Sequence, residues 1–108
     1  MVITQDCVFL KDAAQAQTGE TMALAAEGSL VLEVSGSAAA KELTVQGRVA
    51  QDGAWSGLAA INAEDFSVSS TITENGIYTV NIAGCGAVRI VLGSVSGGAV
   101  TVYGKAGV

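Results

Sequence analysis

A chain of 108 residues with a net charge of −5 is long enough for one packed domain, and two large domains would not fit. The five basic residues are scattered, so the basic face that binding to phosphate backbones requires is absent, and we expect no nucleic-acid partner. No apolar run approaches the roughly 18 to 20 residues of a membrane-spanning helix, so we expect no insertion into a membrane.

The first 28 residues have the least regular pattern in the sequence. Residues 1–10 contain the apolar run Val8-Phe9-Leu10 and predict either a first strand or an arm that reaches a neighbouring subunit. Residues 11–28 predict a loop that leads into another strand. The start of the chain lacks the basic and apolar regions of a secretory signal, so we expect synthesis and folding in the bacterial cytoplasm.

After residue 28 the sequence consists of short segments of alternating hydrophobicity, which is typical of strands with one buried face. The clearest segment is residues 43–49, where the odd positions are apolar or small. We expect three of these side chains in the core: Leu43, Val45 and Val49. The polar side chains between them point the other way and are candidate contacts for solvent or a partner: Thr44, Gln46 and Arg48.

The other predicted strands are also five or six residues long, which is the usual length of strands and too short for typical helices. They are residues 30–34, 68–73, 77–82, 88–92 and 99–103. Residues 36–42 predict a short helix or a loop. Three dipeptides favour tight hairpin turns: Asp52-Gly53, Asn75-Gly76 and Gly97-Gly98. Together these features predict an all-β fold, an antiparallel β-sandwich of six to eight strands with a jelly-roll-like order, formed by residues 1–108 as one domain.

The residues that most enzymes use are largely missing from this sequence. Histidine is absent, which excludes Ser-His-Asp and Cys-His arrangements and imidazole bases. Cys7 and Cys85 are too few for a disulfide scaffold and lack the paired spacing of a zinc site, so we expect two small buried thiols. The acidic residues Asp52, Glu64 and Asp65 do not follow the spacing of a calcium loop. We therefore expect no catalytic site, cofactor or metal.

The aromatic residues Trp55, Tyr78 and Tyr103 have two interpretations. They could form a platform on which a sugar stacks, which would make them ligand contacts. Alternatively, Trp55 closes one end of the core or lies at a subunit interface, and the tyrosines flank strands. Core or interface packing is the commoner role of such rings.

Much of the chain, from Leu30 to Lys105, resembles a family of small phage-encoded virion proteins. The first matching motifs are Gln46-Gly47-Arg48-Val49, Asp52-Gly53-Ala54-Trp55 and Leu58-Ala59-Ala60-Ile61-Asn62. The later ones are Gly76-Ile77-Tyr78, Val88-Arg89-Ile90 and Gly97-Gly98-Ala99-Val100-Thr101-Val102. The sequence departs from the family pattern at Ala59, where the family commonly has proline.

The resemblance implies a structural component of the phage virion: a capsid decoration or cement protein, a head fibre, or a tail or baseplate accessory module. Of these we expect a capsid decoration protein that binds the major capsid protein as a homo-oligomer. Mean hydropathy is high, at +0.50, which agrees with apolar contacts to other subunits. The alternative is a carbohydrate- or receptor-binding module of a head or tail fibre. An enzyme is the least favoured class.

Overall fold

The computed structural model describes residues 4–108, which form ten β-strands and no helix. The strands are β1 (Thr4–Ala13), β2 (Gln17–Ala23), β3 (Ser29–Ser35), β4 (Ala40–Arg48), β5 (Ser56–Leu58), β6 (Ala60–Asn62), β7 (Val68–Ser69), β8 (Gly76–Asn81), β9 (Ala87–Ser96) and β10 (Val100–Gly107). Since none of these residues is helical, no helix among them is long and apolar enough to cross a membrane.

The strands form two antiparallel sheets that pack face to face. The six-stranded sheet has the order β1-β10-β3-β8-β6-β7, and the four-stranded sheet has the order β2-β9-β4-β5. The chain changes sheet repeatedly, so most neighbours within a sheet are distant in sequence, and β1 pairs with β10. The antiparallel β-sandwich is confirmed, while a jelly-roll order of strands stays a prediction.

The core lies between the sheets and is built from aliphatic side chains at alternate positions. In β3, the side chains of Leu30, Leu32 and Val34 are at most 2% exposed, and the residues between them face outward. In β4, Leu43 and Val45 face the core in the same way. Phe9 is the one large aromatic side chain that is fully buried among the described residues. A core of this kind follows from a sequence that is rich in Val, Leu and Ile and poor in aromatic residues.

The N-terminal segment is a strand of the six-stranded sheet. β1 pairs with β10 from Thr4↔Gly107 to Ala13↔Val100, with two register shifts between them. The prediction of a strand or an arm over residues 1–10 therefore resolves to a strand from residue 4, while residues 1–3 lie outside the described residues. The loop predicted from residue 11 is wrong in extent, because β1 continues to Ala13 and β2 begins at Gln17.

Three other local predictions are corrected by the structure. Val49 does not face the core, because β4 ends at Arg48 and the Val49 side chain is 77% exposed. Residues 40–42 belong to β4, so no helix forms over residues 36–42. The strand predicted at 68–73 shortens to Val68–Ser69, followed by a single bridge between Ile72 and Leu43.

Only one of the three predicted turn dipeptides lies in a hairpin. Asp52-Gly53 is in the connection between β4 and β5, which pair with each other. Asn75 precedes β8 and Gly76 is its first residue. The preceding strand β7 does not pair with β8, whose partners are β3 and β6, so this dipeptide does not join paired strands. Gly97-Gly98 carries the chain from one sheet to the other, with φ values of 71° and 145°. The predicted positive φ angles therefore occur at Gly97 and Gly98, but in a connection between the two sheets and not in a hairpin.

Candidate functional site

The outer face of the four-stranded sheet carries two arginines around the single tryptophan. The Cζ atoms of Arg48 and Arg89 lie 4.5 Å and 4.1 Å from the centroid of the Trp55 ring. These are close cation–π contacts. The Arg89 Nε–H donates a hydrogen bond of 2.8 Å to Gln46 Oε1. We call Arg48, Trp55 and Arg89 the arginine–tryptophan cluster.

Strand register explains why these residues meet. Gln46 in β4 lies opposite Arg89 in β9, and Arg48 is two residues further along β4 on the same outer face. Trp55 precedes β5, which pairs with β4 after a connection that contains a turn closed by the Gly53 N–H and the Ala50 carbonyl. The hairpin therefore returns the indole to the strand that carries Arg48.

The outer face of the six-stranded sheet is different, because large apolar side chains remain exposed on it. These side chains are between 36% and 65% exposed: Val8, Val31, Ile61, Val68, Ile77 and Tyr103. We call this set the apolar face. Its members are neighbours across the sheet: Val8 pairs with Tyr103, Ile61 pairs with Val68, and both Tyr103 and Ile77 lie opposite Glu33.

A groove of about 470 Å³ crosses the apolar face between β1 and β8, and its lining includes Val8, Val31, Ile77 and Tyr103. Charged residues at the groove are few and of both signs: Asp6, Glu33 and Lys105. Asp6 lies opposite Lys105 in the register of β1 and β10. Next to the groove, Lys11 Nζ donates a hydrogen bond of 3.3 Å to the hydroxyl of Tyr103. This hydrogen bond raises the pKa of Lys11.

The three aromatic candidates do not form one platform, so of the two interpretations the structure favours packing for Tyr78. Tyr78 is 4% exposed, and its hydroxyl donates a hydrogen bond of 2.9 Å to the Glu74 carbonyl. Burial raises the pKa of Tyr78, and the nearby carboxylates of Glu74 and Asp65 add to the effect. Trp55 and Tyr103 lie on opposite faces of the sandwich. Tyr78 is therefore a core residue, because the inward positions of β8 are buried.

Four of the six predicted contact residues share one surface. Thr44, Gln46 and Arg48 lie on the outer face of β4 and are half-buried, as is the nearby Trp55. Tyr103 belongs to the apolar face on the other side of the sandwich. Whether any of these residues contacts a ligand or partner stays a prediction.

Metal-binding and thiol chemistry have little support in the described residues. No group of three or more His, Cys, Asp or Glu side chains that could hold a metal ion occurs within residues 4–108. Cys7 and Cys85 are free and half-buried. Burial, with a smaller contribution from the Glu20 carboxylate, raises the pKa of the Cys7 thiol, which disfavours the reactive thiolate.

Several residues of these surfaces were not among the sequence candidates. Arg89 was one, because only the register of β4 and β9 brings it beside Trp55. Val31 and Ile77 were others, although the sequence carries a signal for them. Apolar residues occupy successive positions in the runs Leu30-Val31-Leu32 and Ile77-Tyr78. Because neighbouring side chains of a strand point to opposite faces, each run must place an apolar side chain on the outer face.

Comparison with known proteins assigns the family. The family model described as XepA matches residues 3–106, which is nearly the whole chain. The chain belongs to the XepA family. No curated protein matches it significantly.

Two solved structures have the same fold as this chain. The SPBc2 prophage-derived protein YomS superposes with a TM-score of 0.90 at 25% identity, and the match covers 100% of this chain and 96% of YomS. The PBSX exported protein XepA superposes with a TM-score of 0.94 at 23% identity. That match covers 99% of this chain but 38% of XepA, so the chain spans well under half of that protein. YomS is prophage-derived by its name, which supports the phage origin that the resemblance implies.

Proposed function

We propose that this protein is a non-enzymatic structural component of a phage virion, and specifically a capsid decoration protein that assembles as a homo-oligomer on the major capsid protein. The observation that carries the proposal is the apolar face. Exposed Val, Ile and Tyr side chains on neighbouring strands form a patch of the kind that soluble monomers rarely leave unused. The prophage-derived protein YomS, which has the same fold, supports a role in phage biology.

The composition of the apolar face suits a protein interface. Aromatic and aliphatic side chains make up most of it, Glu33 lies between Tyr103 and Ile77, and Asp6 and Lys105 offer opposite charges beside it. Protein interfaces commonly combine a centre of low charge with a polar rim. The absence of histidine from the sequence also agrees with a role in binding.

A mass measurement in solution tests the proposal. We expect purified protein to elute as an oligomer by size exclusion with light scattering, and to co-elute with phage capsids when these are added. Val31→Lys places a charge on the apolar face, so it should lower the oligomer mass or abolish capsid binding. Burial of an unpaired ammonium group is costly, while the same group is easily hydrated on a free surface.

Val49→Lys is the matched control, because Val49 is an exposed valine outside the apolar face. It should behave like the unchanged protein. Thermal unfolding of both variants checks that each remains folded. A monomer that ignores capsids, or two variants with equal effects, would contradict the proposal.

A carbohydrate- or receptor-binding module is the second candidate function. It rests on Tyr103, which is 39% exposed at the edge of the groove. The other two rings support it less, since Tyr78 is buried and the Trp55 ring already contacts two guanidinium groups. If the protein proves monomeric and does not bind capsids, a glycan array becomes the test, with Tyr103→Ala as the variant that should lose binding.

A further inference from the structure

The arginine–tryptophan cluster concentrates positive charge on an otherwise acidic protein. Two of the five basic residues meet at Trp55, while the chain carries a net charge of −5. Among residues 4–108, no carboxylate accepts a hydrogen bond from either guanidinium group. The one hydrogen bond they make is from Arg89 to the neutral Gln46 amide. Two like charges are therefore held together without a negative partner.

One donor of the cluster is buried without an acceptor. The Nε atom of Arg48 is shielded from solvent and has no hydrogen-bond partner in the described residues. Buried polar groups are nearly always paired, so this Nε–H is an unsatisfied donor, and a ligand that arrives from solvent would meet the terminal N–H groups of Arg48 first. A guanidinium group that stacks on an aromatic ring uses its face, while its N–H donors lie in its plane and remain available at its edge.

The surface around the cluster has open space and further polar groups. A row across the four strands consists of Thr21, Arg89, Gln46 and Gly57, in that order. Gly57 has no side chain, and a Cβ atom built there would touch only the Thr44 methyl group, at 3.9 Å. Thr21 offers an exposed hydroxyl beside Arg89. There is therefore open space against the sheet in the row that contains Arg89 and Gln46, two residues along β4 from Arg48.

We propose that Arg48 and Arg89, held in place by Trp55, bind a single oxyanion, the carboxylate or phosphate group of a ligand. The planar fork of an arginine matches both groups, and hydrogen bonds to an ionised acceptor are the strong ones. The net negative charge of the whole molecule would repel an extended polyanion, which favours one anionic group. The site lies on the opposite side of the sandwich from the apolar face, so the two proposals can fail separately.

The fluorescence of Trp55 provides a direct test, because it is the only tryptophan. The protein is titrated with inorganic phosphate and with succinate, and with potassium chloride at equal ionic strength as the reference. We expect a saturable change with phosphate, succinate or both, at a Kd on the order of 1 mM, and none with chloride. Saturation by one anion alone identifies which of the two groups the site takes.

Arg48→Gln and Arg89→Gln should each weaken binding about tenfold or more, because each removes one charged fork. Lys105→Gln removes the same charge from the opposite face and should leave the affinity unchanged. Since the arginine variants could alter the fluorescence itself, the Arg48 Nε–H resonance is followed by NMR in the unchanged protein and should shift on binding. Responses that match chloride, or arginine variants that bind like the unchanged protein, would overturn the proposal.

Discussion

Glu27 connects the start of β1 to the segment between β2 and β3. Its carboxylate accepts a hydrogen bond of 2.7 Å from the Ala25 N–H and another from the Gln5 side chain. The backbone N–H of Ala25 is the main reason why the pKa of Glu27 lies below its ordinary value of 4.5. Hydrogen bonds to the charged form have this effect on a carboxylate.

The lowered pKa of Glu27 predicts a loss of stability in acid. A carboxyl group with a lower pKa in the folded state stabilises the fold above its unfolded pKa, and this contribution is lost as pH falls from about 4.5 through the folded value. Glu27→Gln should therefore lower Tm at pH 7, and the difference from the unchanged protein should shrink as pH falls below about 4. Asp52→Asn, in an exposed loop, is the control. A difference in Tm that is constant with pH would contradict the prediction.

Gly104 shows how one missing side chain sets the packing of the core. A Cβ atom at this position of β10 would lie 2.3 Å from Phe9 Cε2 and 3.3 Å from Leu32 Cδ2. Phe9 is 1% exposed and has little room to move. Position 104 of β10 therefore requires glycine, because the Phe9 ring packs directly against the backbone there.

Gly104→Ala should lower the free energy of unfolding by about 1 to 3 kcal/mol, which is the usual cost of overpacking a core. Gly57→Ala is the matched control within a strand, and it should change stability by less than about 0.5 kcal/mol because that position is open. Urea denaturation of the two variants measures both values. Equal losses would show that Phe9 does not occupy the space above Gly104.

At the scale of the strand, β4 gives the sharpest test of register. Val45 is 1% exposed on its inner face, and the adjacent Gln46 lies on the outer face beside Arg89. Val45→Asp should cost at least about 3 kcal/mol, because it leaves an unpaired charge in the core. Gln46→Asp should stay within about 1 kcal/mol, since the new carboxylate would lie among two arginines. Chemical denaturation compares the variants, and similar losses would mean that the assigned faces of β4 are wrong.

Strand prediction succeeded where alternation was regular and failed where sheet edges are made of short pieces. The strands β3, β4, β8, β9 and β10 all overlap segments predicted from apolar periodicity. By contrast, β5 and β6 have three residues each, and β7 has two. Strands of two or three residues are too short to show a hydrophobic period in the sequence. Their strand conformation comes from pairing with neighbouring strands: β5 with β4, β6 with β8, and β7 with β6.

At the scale of the whole molecule, the excess of apolar residues has a definite location. The sandwich measures 41 × 31 × 22 Å, and its core is filled by the inner positions of the two sheets. The remaining large apolar side chains are concentrated on the outer face of the six-stranded sheet, while the four-stranded sheet presents threonine, glutamine and arginine. The two outer faces therefore differ in chemistry, and the proposals assign them different partners.

Local periodicity was enough to predict the fold class, the strands β3, β4, β8, β9 and β10, and most of the side chains that face the core from them. It also predicted the outward positions of Thr44, Gln46 and Arg48. Which strands become neighbours is visible in the three-dimensional fold alone, since the chain crosses between sheets and β1 pairs with β10. For that reason the meeting of Arg89 with Trp55, the burial of Tyr78 and the continuity of the apolar face could not be predicted. Each depends on the register of strands that are far apart in sequence.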